Sequence, residues 1–134
     1  MSVGLLLVGH DGIGAALLES VRTTLGDCPL PAEALSASRD CDPDALFAEA
    51  RAYVQRLDHG EGVLVLTDLF GSTPSNIAGR LLGATRVRVV TGMNLPMLVR
   101  LLNYPQLDLD ALADKAVSGG RDGVFAVDTD RGPV

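Results

Sequence analysis

Short apolar runs and longer amphipathic stretches alternate along the chain. Residues 3–8 form a continuous apolar run interrupted only by Gly4 and ending at Gly9, the pattern of a strand buried on both faces. From 13 to 25, apolar side chains recur at 13, 17, 18, 21 and 25, a helical stripe that Gly26 closes at the C-cap position. Pro29 and Pro31 mark a loop, and 32–37 reads as a weak strand. Asp42-Pro43 supplies an N-cap and a proline at the first helical position, opening a helix that runs to Leu57 and ends at His59-Gly60. Residues 62–66 are the clearest buried strand, followed by a polar turn over 67–74. A helix over 75–82, a strand over 86–91, a helix over 95–102 and an amphipathic helix over 108–117 follow. A short apolar strand is expected over 123–127, behind Gly119-Gly120, and a loose polar tail over 129–134. This alternation predicts a doubly wound α/β fold with a mostly parallel sheet.

Composition narrows the class. A length of 134 residues, 47% of them hydrophobic, fits one domain with a real core and excludes a disordered chain. There is no internal repeat or linker, so 1–134 reads as a single domain. A formal net charge of −6, with one Lys (Lys115) beside ten Arg and no basic cluster, argues against nucleic acid as a partner. No apolar run approaches the ~20 residues of a membrane span. The N-terminus also lacks the basic region of a secretory signal, so a cytoplasmic protein is expected. Cys28 and Cys41 show neither metal nor redox spacing and have no His or Lys close in sequence.

In open parallel sheets, chemistry gathers beyond the carboxyl ends of the strands, where the strand order reverses. Two such ends carry unusual residues: Gly9-His10-Asp11-Gly12 after the first strand, and Thr67-Asp68-Leu69-Phe70-Gly71-Ser72-Thr73-Pro74-Ser75-Asn76 after the third. A flavodoxin-like order, 2-1-3-4-5, makes those strands neighbours and sets His10 against Asp68. A carboxylate beside an imidazole fixes its tautomer and leaves the other ring nitrogen as a nucleophile or base. Gly71, Ser72 and Thr73 add backbone N–H groups and hydroxyls near a helix start, which suits an anion. Together these residues suggest phosphoryl transfer through histidine. From position alone, a lone His at a strand end is more often structural, and Asp68, Ser72 and Thr73 read equally well as cap and turn residues. His59, in a Gly-flanked turn, reads as a solvated residue.

Other chemistries find no support. Leu17 stands where a dinucleotide fingerprint needs its third glycine, and there is no phosphate-binding Gly-Lys-Ser/Thr loop. There is no nucleophile elbow. Two His and two scattered Cys make a zinc site improbable, and no metal or cofactor is expected.

Four segments nevertheless make a more specific pattern. They are the first strand ending in His10, the 67–76 segment quoted above, Gly92-Met93-Asn94-Leu95-Pro96-Met97-Leu98, and Gly120-Arg121-Asp122-Gly123-Val124. In this order and spacing the chain resembles the mannose-family enzyme IIA proteins of the bacterial phosphoenolpyruvate-dependent sugar phosphotransferase system. The resemblance implies four parallel strands plus a C-terminal antiparallel strand exchanged in a homodimer. It implies that His10 accepts a phosphoryl group from the phosphohistidine of HPr and passes it to an enzyme IIB on a separate chain. Asp68 would pair with the ring, and Thr73 matches the small hydroxyl residue near the site. Gly9 departs from the pattern, which has Thr or Ser before the histidine. The phosphoryl-donor subunit of dihydroxyacetone kinase is the nearest alternative. A regulatory protein switched by His10 phosphorylation and a plain ligand-binding module are readings of other classes.

Overall fold

Strand β1 (Gly4–His10) shows in a few residues how this chain is layered, because its side chains divide between two cores. In the computed structural model, which describes residues 2–83 and 86–128, Leu5 and Leu7 point to one face of a sheet and Leu6 and Val8 to the other. All four are fully buried, each contributing on the order of 1.5–3 kcal/mol of apolar transfer free energy. A strand buried on both sides cannot alternate apolar with polar, which is why the sequence shows a continuous run. The elements that follow are α1 (Ile13–Leu25), β2 (Ala32–Ala37), α2 (Pro43–Leu57), β3 (Val63–Thr67), α3 (Thr73–Arg80) with a short 3-10 turn at Leu81–Gly83, β4 (Val87–Thr91), α4 (Leu95–Leu102) and α5 (Leu109–Asp122).

The strands pair in parallel in the order β2-β1-β3-β4, the first four positions of the expected flavodoxin-like sheet. Side chains of α1, α4 and α5 cover one face, with Leu18, Val21, Leu98, Leu101 and Leu112 packed on Leu5, Leu7, Leu64 and Leu66. The other face carries α2 and α3, with Leu46, Ala50, Val54, Ile77 and Ala78 packed on Leu6, Val8, Val63 and Val65. The molecule is a three-layer α/β/α sandwich. Asp42, Asn94 and Asp108 cap α2, α4 and α5 by accepting the backbone N–H of Asp44, Met97 and Ala111 at 3.2, 2.9 and 3.0 Å.

Three expectations need correction. Helix α3 begins at Thr73 rather than Ser75, because Ser72 caps it and Pro74 fits its first turn. Helix α5 continues five residues past Val117, so Gly119 and Gly120 are buried helical positions and not a flexible joint. A Cβ on Gly119 would collide with Arg100 Cβ, and one on Gly120 would sit 2.9 Å from Met97 Cε. The two glycines let α5 lie close on α4, a tertiary demand that overrides their poor helix propensity. Residues 124–128 form no strand of this sheet, so the expected C-terminal antiparallel strand is not part of the fold of a single chain. The expected loose tail, 129–134, lies outside the described residues.

Candidate functional site

The register of β1 against β3 places Val8 opposite Thr67, so both strands end side by side and the chain leaves them at His10 and Asp68. The two residues meet as the predicted strand order requires. Asp68 Oδ2 lies 2.9 Å from His10 Nδ1 and also accepts the His10 backbone N–H at 2.9 Å. The same oxygen thus holds the ring and the backbone from which the ring hangs. The carboxylate side chain is only 11% exposed, whereas the imidazole is 44% exposed.

The electrostatics of Asp68 are a contest. Burial raises its pKa by penalising the charged form, and Oδ1 is buried with no hydrogen-bond partner among the described residues. The backbone and ring hydrogen bonds from His10, its charge when protonated, and the Asp68 backbone N–H act the other way. They prevail, and the carboxyl titrates below its ordinary 3.8. An ionised Asp68 can only accept, so Nδ1 carries the proton and the Nε2 lone pair is left facing outward.

A side chain at Gly9 would displace the movable end of Met93 and press on Asp68. A Cβ there would lie 2.9 Å from Met93 Cε and 3.3 Å from Asp68 Oδ2. Met93, whose N–H donates to Thr67 O at 2.9 Å, fills the space beside the carboxylate that a hydroxyl residue would take.

His10 opens onto a cleft of about 330 Å³ lined also by Asp11, Ala37, Ser38, Arg39, Cys41, Pro43 and Thr73. Asp11 makes the tight turn into α1 with φ +45°, a left-handed conformation that Asp tolerates better than most residues. Gly12 caps α1 without a side-chain hydrogen bond, which leaves the first-turn N–H groups of α1 without a side-chain acceptor. Pro43 and Thr73 are the first residues of α2 and α3, so two more helix N-termini border the cleft. Of the three residues expected to cradle an anion, Thr73 lines this cleft, whereas Gly71 and Ser72 do not. The Ser72 hydroxyl is committed locally: it donates to Leu69 O at 2.5 Å and accepts from Ser75 N–H at 3.4 Å. Thr73 is the first residue of α3, so its N–H has no acceptor within the helix.

Sequence reasoning missed the residues after β2. Ser38, Arg39 and Cys41 reach the cleft because Ala37 pairs with His10 across the sheet, so whatever follows Ala37 lies beside the histidine. Cys41 therefore does share a cleft with a histidine, contrary to its isolation in sequence. Its partner in composition, Cys28, instead donates its thiol to Leu30 O at 3.3 Å, well away from the cleft. His59 is exposed at the opposite end of β3, before its first residue. Among the described residues no group of three or more His, Cys, Asp or Glu is placed to hold a metal, and no helix is long and apolar enough to cross a membrane. Leu69 and Phe70, directly after Asp68, are 62% and 80% exposed, and Ile13 at the start of α1 is 44% exposed.

Comparison with known proteins gives this site a family. Residues 4–117 match the EIIA-man family, described as the PTS system fructose IIA component. The chain belongs to that family. The chain is 29% identical over 137 residues to the PTS system mannose-specific EIIAB component of Escherichia coli strain K12, an alignment covering 95% of this chain and 40% of that protein. It thus spans less than half the length of the curated relatives it matches. Among solved structures it is similar to the mannose/sorbose-specific IIA subunit of the phosphotransferase system from Enterococcus faecalis. That match has a TM-score of 0.85, 28% identity and 96% of each chain covered. The PTS IIA protein associated with the fucose utilization operon of Streptococcus pneumoniae superposes with a TM-score of 0.79 at 25% identity, covering 94% of this chain and 96% of that one. The family match and these superpositions agree on a mannose-type IIA component, and the mostly parallel four-stranded sheet fits it.

Proposed function

We propose that the chain is a phosphocarrier in which His10 Nε2 accepts a phosphoryl group from phospho-HPr and passes it to an enzyme IIB domain, as part of a cytoplasmic relay for sugar uptake or its regulation. The observation that carries this reading is the double hold of Asp68 Oδ2 on the Nδ1 and backbone N–H of His10, both at 2.9 Å, beneath a half-exposed ring. In the forward step the Nε2 lone pair forms the new N–P bond as the donor's N–P bond breaks. The bonding pair returns to the donor ring nitrogen. Each ring keeps its N–H, so no proton crosses between the proteins and no separate base is needed. Phosphoryl transfer between like nitrogens is nearly balanced in energy, and catalysis reduces to alignment and to stabilising the equatorial oxygens.

The phosphorylated ring, protonated at Nδ1, is a cation, and Asp68 stabilises it more than it stabilises the neutral ring. Thr73 contributes its hydroxyl and N–H toward the phosphoryl oxygens, while Ser72 and Gly71 set the turn that aims Thr73. Leu69, Phe70 and Ile13 form an apolar rim against which the donor and acceptor proteins dock in turn.

The working molecule in this reading is a homodimer that exchanges C-terminal segments. Strand β4 ends the sheet, and a groove of about 760 Å³ runs along it, lined by 88–92 and by Ala113, Val117 and Gly120. Val124 and Val127 stay largely exposed, at 74% and 76%. An added antiparallel strand from a second chain would cover both the groove and the edge.

Incubation with phosphoenolpyruvate, enzyme I and HPr tests the function. One acid-labile, alkali-stable phosphate per chain is expected, abolished by His10→Ala and unaffected by His59→Ala. Labelling that survives His10→Ala, or no labelling with a competent donor, contradicts the proposal.

A further inference from the structure

We propose that Arg39 is a catalytic residue of this site, the guanidinium that takes the phosphoryl oxygens as the group moves onto His10. The inference rests on the His10 reading above and assigns it a cation that the sequence motifs do not contain.

The pairing of β1 with β2 fixes the location. Ala37 lies opposite His10, and Asp11 N–H donates to Ala37 O at 3.4 Å, so Arg39 stands two residues beyond the strand end that touches the histidine. Both residues line the same 330 Å³ cleft. Arg80, Arg88 and Arg100 each lie within 3.3 Å of a carboxylate, on Asp44, Asp110 and Asp122. Arg39 is exposed and has no ion pair, hydrogen bond or ring contact among the described residues. Asp42 accepts the Asp44 N–H as the cap of α2, and among the described residues none of Asp11, Asp40 and Asp42 forms an ion pair with Arg39.

Charge arithmetic shows why such a cation is needed. A phosphoryl group brings close to two negative charges into a cleft that Asp11 lines and that lies beside ionised Asp68. Helix N-termini offset only partial charges, and they act within a single turn. A guanidinium supplies a full positive charge and two parallel N–H donors matched to two phosphoryl oxygens. With its N–H groups unengaged, Arg39 gives up no existing contact to make these bonds.

A small-molecule donor separates this role from docking of a protein partner. With phosphoramidate, the Nε2 lone pair forms the N–P bond while the donor's P–N bond breaks and its pair leaves with ammonia. Arg39→Ala should slow this labelling of His10 by about 10²-fold, the lower end of the range for removal of one oxyanion-stabilising donor. Arg39→Lys should recover part of the rate, since it keeps the charge and loses the fork. In the phosphorylated protein, ³¹P spectra should show the phosphoryl oxygens of Arg39→Ala titrating at higher pH than those of the parent, because the dianion has lost its cation. The melting temperature should not move. Equal labelling rates and superimposable ³¹P titrations would overturn the Arg39 assignment while leaving His10 intact, as would an effect seen with HPr and not with phosphoramidate. Failure of the parent protein itself to be labelled on His10 would remove the underlying reading and this assignment with it.

Discussion

At the scale of single residues, one carboxylate oxygen organises the site. Asp68 Oδ2 takes two N–H groups from His10, and its partner oxygen takes none among the described residues. Asp68→Asn keeps the shape but loses the charge, and its amide can hold the ring in the wrong tautomer. It should therefore slow phosphoryl transfer by ~10²-fold or more, measured as the rate of His10 labelling from phospho-HPr. The lowered pKa of Asp68 also links the pair to stability. A carboxyl held below its unfolded value stabilises the fold fully above about 3.8, and the contribution is lost as pH falls through the lower folded value. The melting temperatures of the parent and Asp68→Asn should therefore differ at mildly acidic pH and converge below 3.8; a gap unchanged by acidification would contradict the linkage. His10 and Asp68 were legible because both directly follow apolar runs that read as buried strands. Arg39 was not, because the strand before it, Ala32–Ala37, is an edge strand only partly buried, and nothing local shows that it lies beside His10. The effect of Gly9 was equally hidden, since the Met93 methyl that fills its space is 84 positions away in the chain.

At the scale of elements, pattern located every strand of the sheet and most helix starts, and it failed where packing overrode local signals. Helix α5 is the clearest case. Gly119 and Gly120 look like a break in sequence, yet they are buried helical residues that admit the side chains of Arg100 and Met97. Arg100 reinforces the contact, donating to Ser118 Oγ at 3.4 Å and to Asp122 Oδ2 at 3.3 Å. Gly119→Ala should therefore destabilise the fold by about 1–3 kcal/mol through overpacking, despite the better helix propensity of alanine. Gly79 in α3 has open space where its Cβ would go, so Gly79→Ala should be neutral or stabilising by up to about 1 kcal/mol. Denaturant unfolding of the two variants checks this, and a stabilising Gly119→Ala would mean that α4 and α5 do not pack this closely. Helix α3 starts two residues before the expected 75, because Pro74, placed by its sequence in the polar turn, occupies a first-turn position where its missing N–H costs nothing.

At the scale of the whole molecule, the parallel sheet brings one functional end together from the carboxyl ends of β1, β2 and β3, and leaves β4 as an edge. That edge motivates the proposed exchange dimer. Light scattering at micromolar concentration should give about twice the 14.0 kDa of one chain, and truncation after Gly123 should reduce it toward that value. A monomer of the full chain would contradict the dimer without touching the chemistry of the other end. That chemistry makes its sharpest commitment about a single atom. If Asp68 holds a proton on Nδ1, the phosphoryl group has only Nε2 to occupy. Long-range ¹H–¹⁵N correlation spectra of the protein before and after phosphorylation by phospho-HPr read this directly. The account predicts that His10 is an Nδ1–H tautomer in the free protein and carries phosphorus on Nε2 afterwards, with His59 unchanged; phosphorus on Nδ1 of His10, or on His59, would contradict it.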